Sequence, residues 1–511
     1  MIRRALEILL GGLLAGAAPA TAEWREATSR HFVLYGDTSE ANLRRQADAL
    51  ERLDWGLRRF MRVEEEPEIA ARKVTVYLVG DGDVQRLCRC KNVGGFYFSN
   101  VSGSTAFSGS GDWADREGTR LVLFHEYAHH FLLGSYSLAF PSWFTEGFAE
   151  FASTAKVEAE QISIGHAANH RAYGLFVRQR LTATQMLDPG LRGRLRPDQM
   201  DSFYGRGWLL THFMMFEPGR FEHFSRYVAA INRGTPATPA AQQAFGDLKA
   251  LDQAVERYLN RPRLFAAFLK YAEAPPPVIR LRTLRAGEAA LIDERMQSVR
   301  GVDLEDARKL FARAAPVAAR YADDPVVQGW LAEMAFDAGD DAAAEAAATR
   351  ALAKDAKSVQ ALMYRARVKL RRLEQANSTD AAAWAAARQA VVLANRADPD
   401  DAEPLWWFWR SFTMERKPPS ASSLKGLYRA QELMPQDNGV RFAAATARIM
   451  AGEGDEAKRL LRPLAYHPHA PADNPGSRML AALDAGKKGA EVLAAGASNT
   501  EAAEKEDGKN D

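Results

Sequence analysis

His125 and His129 lie four residues apart in LVLFHEYAHHFLL (121–133), with Glu126 beside the first. On a helix, that spacing stacks two imidazoles on one face, one turn apart, where both can ligate one cation. Glu126 then stands about 100° round the helix. That is where a general base is needed to take a proton from an activated water. The alternative is a core helix whose histidines bond side chains elsewhere. The flanks LVLF and FLL are apolar and predict a buried helix. A buried His–Glu–His set without a metal or hydrogen-bond partners is costly.

The stretch PSWFTEGFAEF (141–151) discriminates between the two. Pro141 suits a helix start, and Glu146 follows His129 by 17 residues, room for a turn and a second helix. A catalytic zinc commonly takes three protein ligands and leaves one position open. His125, His129 and Glu146 make such a set, for one Zn2+ per chain. Glu150, four residues after Glu146, shares its face and can accept a hydrogen bond from a ligand histidine, fixing the ring.

The run WFTEGFA (143–149), placed after the HExxH helix, resembles the gluzincin metallopeptidases and their peptidase-MA-like group, whose motif is W-x-x-E-G-x-A. The resemblance covers about 24–270. It implies an α+β zincin-like metallopeptidase domain, with zinc on His125, His129 and Glu146. It also implies Glu126 as base and proton shuttle, and Glu150 behind the ligands. DSFYGRGWLLTHF (201–213) extends the likeness: Tyr204, Arg206 and Gly207 match the aminopeptidase-like members, in which that tyrosine hydrogen-bonds the oxyanion. A packing tyrosine is the alternative for Tyr204. A glycine-rich motif for anchoring a free N-terminus is missing, so an endopeptidase is expected rather than an aminopeptidase.

Other residues of these types have blander readings. His166 and His170 are four apart without a neighbouring glutamate motif, which favours a surface or pocket role over a second metal pair. His130 points off the ligand face, and His212 belongs to an apolar helix. FYFSNVSGSTAF (96–107) reads as an edge strand that pairs with an extended peptide, or as a plain hairpin. Cys88 and Cys90 are the only cysteines. A redox or metal pair is the functional reading. A local structural bridge or two free thiols is the simpler one, because a bridge between residues two apart closes a small ring.

The elements that position these residues follow from periodicity. RHFVLYG (30–36), KVTVYLVG (73–80), GGFYFS (94–99) and GSTAFSG (103–109) are β-rich. Residues 38–62 carry Leu43, Ala47, Leu50, Leu53, Leu57 and Phe60 at helical spacing. Helices alone are expected after residue 109, so a metallopeptidase domain over 23–275 is of α+β order. Composition changes near APPPVIRLR (274–282), which predicts a connector over 276–304. Beyond it, Pro- and Asp-rich punctuation recurs at ADDPVV, ADPDDA, MPQDNG and YHPHAP, with DAKS between. The spacing resembles tetratricopeptide repeats over 305–470, an all-α helical repeat domain. That likeness implies a concave face for a peptide or protein partner. The tail, 486–511, is rich in Ala, Glu and Lys and is expected to be disordered.

Residues 1–22 read as an export signal: Arg3 and Arg4, the apolar run ILLGGLLAGAAPA, then ATA before Glu23. Cleavage after Ala22 places the chain in a periplasm or outside the cell, with no stable membrane span. With 67 basic and 65 acidic residues, charge gives no ground for a nucleic-acid partner. The expectation is an exported zinc endopeptidase whose repeats bind a protein partner or substrate. The alternatives are a catalytically weak or inactive envelope scaffold acting through its repeats, and hydrolysis of another amide such as a cell-wall peptide crosslink.

Overall fold

The computed structural model describes residues 23–497 apart from 65–72, 92, 111–116, 177–180, 189, 275, 467–470 and 472. The export signal (1–22), the punctuation at Pro468 and the end of the charged tail (498–511) lie outside the described residues.

The strands are β1 (Trp24–Thr28), β2 (Phe32–Asp37), β3 (Val74–Val79), β4 (Gly95–Asn100), β5 (Gly103–Gly109), β6 (Lys156–Val157), β7 (Gln161–Ile164), β8 (Ala267–Lys270) and β9 (Arg280–Thr283). Six form one mixed sheet in the order β4-β5-β3-β2-β1-β9, and β6-β7-β8 form a second. β2, β3 and β5 run parallel; β4 is antiparallel to β5 and forms an edge. The expectation of helices alone after residue 109 is therefore corrected by four short strands. β9 carries RLRT, with no apolar alternation to signal it. Backbone pairing of Arg25 with Thr283 through Thr28 with Arg280 holds it, aided by the Arg282–Glu26 ion pair at 2.5 Å.

The helices of the first half are α1 (Glu40–Met61), α2 (Asp81–Cys88), α3 (Glu117–Ser135), α4 (Ser142–Ser153), α5 (Ala172–Phe176), α6 (Ala183–Met186), α7 (Leu191–Arg194), α8 (Met200–Phe216), α9 (Arg220–Asn232), α10 (Ala237–Phe245) and α11 (Leu248–Leu259). In α1, Leu43, Ala47, Leu50, Leu53 and Leu57 are wholly buried, as their spacing predicts. Ser39 caps its start by accepting from the Asn42 amide. At the end of α2, Cys88 is joined to Cys90 in a disulfide, the local structural bridge.

Twelve helices follow: α12 (Ala286–Arg300), α13 (Leu304–Ala319), α14 (Pro325–Asp337), α15 (Asp341–Lys354), α16 (Val359–Gln375), α17 (Ala381–Ala397), α18 (Ala402–Met414), α19 (Ala421–Leu433), α20 (Asn438–Met450), α21 (Gly454–Ala465), α22 (Pro475–Asp484) and α23 (Ala490–Ala497). The recurring punctuation is helix capping. Asp324, Ser358, Asp401 and Asp437 each accept a backbone N–H at the start of α14, α16, α18 and α20, and Pro325 occupies the first turn of α14.

In the segment 276–304, read as a linker or helical connector, β9 completes the first sheet and α12 opens the helical region. Residues 490–497 of the expected disordered tail form α23, with Val492 buried in the last helical core.

The large sheet is covered on both faces. Leu34, Val76 and Ala106 share a core with α1, α3 and α4. On the other face Tyr35, Tyr77, Phe107 and Phe96 are register neighbours across four strands, with ring centroids 5.3, 5.1 and 4.8 Å apart. This ladder packs into the core of α12–α16. The β4–β5 turn reaches further along the helices. Val101 packs against the buried core formed by α18–α23, as do Leu405, Trp406 and Trp409 of α18, and Ser102 hydrogen-bonds Glu403.

Candidate metal centre

α3 carries its polar triplet in an apolar frame: Leu123, Phe124, Ala128, Phe131 and Leu132 are buried around it. The four-residue spacing brings His125 Nε2 to 3.2 Å from His129 Nε2. α4 is buried along its whole length between α3 and α8, and supplies Glu146. Its Oε2 lies 3.6 Å from His125 Nε2 and 3.5 Å from His129 Nε2. Three donors from two helices therefore converge, and the group can hold a metal ion. The spacing suits a small tetrahedral ion, whose bonds of about 2.0–2.1 Å place ligand atoms about 3.4 Å apart.

Two buried carboxylates are expensive without compensation, several kcal/mol per ion. Here basic side chains surround them. Glu146 has Arg192 of α7 at 3.4 Å, besides the two histidines. Glu150 faces His125 Nδ1 at 3.3 Å, on the far side of the ring from the ligand nitrogen. It also takes His170 Nε2 at 2.7 Å and Arg171 Nη2 at 2.6 Å. Arg171 is in turn paired with Asp201 at 3.1 Å.

These contacts set the titration of the site. Burial disfavours a charged imidazole at His125, but bonds to Glu146 and Glu150 and the neighbouring negative charges outweigh it and push its pKa up to about 10. Burial raises the carboxyls of Glu146 and Glu150; histidines and, for Glu150, Arg171 overcome it and hold both well below the usual range. Glu126 goes the other way: burial raises it more than His125 and His129 lower it. It is the one carboxylate of the three poised toward accepting a proton.

Tyr204 on α8 closes the site. Its ring centroid is 6.2 Å from that of His125, with the Arg171 guanidinium 4.8 Å from the Tyr204 centroid. Burial, then the charge of Glu146, raises its phenol against the opposing Arg192, so it remains a donor. α8 comes this close because Gly147 and Gly207 meet where α4 crosses it.

The other histidines singled out in the sequence have structural partners. His130 turns away and bonds the Tyr97 hydroxyl of β4 at 3.0 Å, tying α3 to the sheet edge. His212 is core, between Tyr258 at 2.8 Å and the Gly165 carbonyl at 2.9 Å, and burial lowers its pKa to about 4. His166 bonds Ser163, while its neighbour in the pair, His170, has joined Glu150. Sequence reasoning missed Arg171, Arg192 and Asp201. Arg192 sits among several arginines in LRGRLR, with nothing to single it out.

Against family models, curated proteins and solved structures the chain shows no match. Its site is therefore read from its own chemistry.

Proposed function

We propose that this chain is an exported zinc metallopeptidase of gluzincin type, with a zincin-like first half and a tetratricopeptide-like helical second half. The observation that carries this reading is the convergence of His125, His129 and Glu146 at tetrahedral ligand spacing, with Glu126 on the same helix. Bound there, zinc lowers the pKa of a water and polarises a carbonyl. Glu126 takes the proton of the attacking water and passes it to the leaving amine. Tyr204 donates to the oxyanion. Glu150 orients His125, and His170 and Arg171 hold Glu150. β4, an antiparallel sheet edge tied to α3 through Tyr97, is the strand on which an extended peptide would lie.

Export rests on the N-terminal segment alone; among the described residues no helix is long and apolar enough to cross a membrane. For the helical region, the packing of Val101 on the core of α18–α23 and the bond of Ser102 to Glu403 of α18 favour a wall beside the β4 edge over an independent capture module.

The decisive measurement is bound zinc per chain, with cleavage of a diverse peptide library by wild type and by Glu126→Gln. One zinc in both proteins, with cleavage only by wild type, is expected. A chain that takes up no zinc, or a Glu126→Gln variant that cleaves like wild type, sinks the proposal.

A further inference from the structure

A cavity of about 640 Å³ shares no lining residue with the metal centre. It lies between the start of β2, one face of α1 and the segment around 271–280, and falls in the size range of small-molecule sites. Its buried part is a polar cluster that is already satisfied. Glu51 accepts the His31 amide at 2.8 Å and pairs with His31 Nδ1 at 2.7 Å. Asp54 accepts from Arg58 at 2.8 Å and from the Tyr127 hydroxyl at 2.5 Å. These carboxylates have spent their charge on the protein and offer little to a cationic guest.

The rest of the lining is different. Trp55 and Tyr271 form an aromatic wall, ring centroids 5.4 Å apart, with the Arg52 guanidinium 4.2 Å from the Tyr271 centroid and paired to Asp48. Lys73 and Arg280 also line the cavity. Lys73 donates to the Ser29 carbonyl at 2.7 Å, and neither cation forms an ion pair among the described residues. Burial disfavours the charge on Lys73; the charge of Glu51 supports it more than that of Arg280 opposes it, and Glu26 adds to the support. Two cations without an ion-pair partner among the described residues, beside an aromatic wall and with the nearby carboxylates already hydrogen-bonded, define a site for a small anion.

We propose that this cavity binds a small organic anion, its apolar body against Trp55 and Tyr271 and its carboxylate or phosphate toward Lys73 and Arg280. The inference does not depend on the metal centre. Three probes with one body separate its parts: 4-phenylbutyrate, 4-phenylbutyl phosphate and the neutral 4-phenylbutyramide. Each is titrated calorimetrically into the full chain, its Lys73→Gln/Arg280→Gln variant and its Trp55→Phe variant.

Saturable binding of at least one anion is expected, roughly tenfold tighter than the amide, and weakened by a similar factor in the double variant. Weaker binding by Trp55→Phe locates the event at this cavity. Preference between carboxylate and phosphate identifies the head group. The double variant changes one exposed and one half-buried side chain, so its melting temperature is expected to match wild type, which makes its binding loss interpretable. Amide bound as tightly as the anions, full affinity in the double variant, or no binding of any probe at millimolar concentration overturns the proposal.

Discussion

Gly147 on α4 and Gly207 on α8 touch backbone to backbone: a β-carbon on Gly147 would overlap the Gly207 carbonyl and the Thr211 hydroxyl. Glu146 immediately precedes the first glycine, and Tyr204 stands one turn before the second. This close helix crossing therefore sets the distance between Glu146, the proposed metal ligand, and Tyr204, the proposed oxyanion donor. The glycine of the WFTEGFA motif is explained by this contact rather than by a turn, since Gly147 is inside a helix.

Gly147→Ala is expected to push α4 and α8 apart. Overpacking of this kind costs about 1–3 kcal/mol, and the displaced Glu146 should weaken zinc binding as well. Thermal melts with and without zinc check both effects. A variant that melts and binds zinc like wild type would show that the crossing has slack.

Glu150→Gln keeps the shape of the side chain but removes the charge shared by His125, His170 and Arg171. Residues that orient metal ligands typically contribute about 10–100-fold to metal affinity. That loss is expected here, read by competition with a chromophoric chelator. Glu126→Gln, which touches no ligand donor, should bind zinc nearly as wild type does. Equal affinities for wild type and Glu150→Gln would remove Glu150 from the site's support.

The contrast between Glu150 and Arg192 shows where sequence was informative. His125, His129, Glu146 and Glu150 follow local rules, because an i,i+4 spacing on a helix fixes which face each side chain shares. Arg171 and Arg192 reach the site from short helices after long excursions of chain, and no periodicity announces such meetings. The same division applies to the fold. α1 and the capped helices of the second half are written in apolar spacing and Asp or Ser caps. β9 is an arginine-rich edge strand held by its backbone, so its sequence resembles a linker.

The buried pair His31–Glu51 predicts a pH dependence of stability. Burial opposes a charged His31 most strongly, yet the bond to Glu51 and the charges of Asp54 and Glu51 outweigh it and Arg58, and raise its pKa. Glu51 is lowered by the same bonds despite its burial. A raised histidine stabilises the fold below its unfolded value of about 6.5 and loses that contribution as pH rises through the folded value. A lowered glutamate stabilises above about 4.5 and loses it on acidification. The pair is thus fully effective between those two values. Urea unfolding at about pH 6 and about pH 9 should show the advantage of wild type over His31→Asn shrinking at the higher pH. A constant or growing difference would contradict the ion pair.

The aromatic ladder Tyr35–Tyr77–Phe107–Phe96 packs the sheet against the helical half, which predicts that the two halves fold as one unit. Cutting at residue 275 removes β9 from the edge of β1 and strips α12–α16 from the ladder, exposing a contiguous aromatic face. A chain of residues 23–275 is therefore expected to aggregate or to melt without cooperativity. Phe107, wholly buried at this junction, tests the same point without truncation. Phe107→Ala should cost about 3–5 kcal/mol. If the halves are coupled, calorimetry of the full-length variant shows one transition moved downward. Two transitions, with only one of them shifted, or a monomeric 23–275 chain that melts cooperatively, would show that the metal-site half stands alone and that the ladder joins modules already folded.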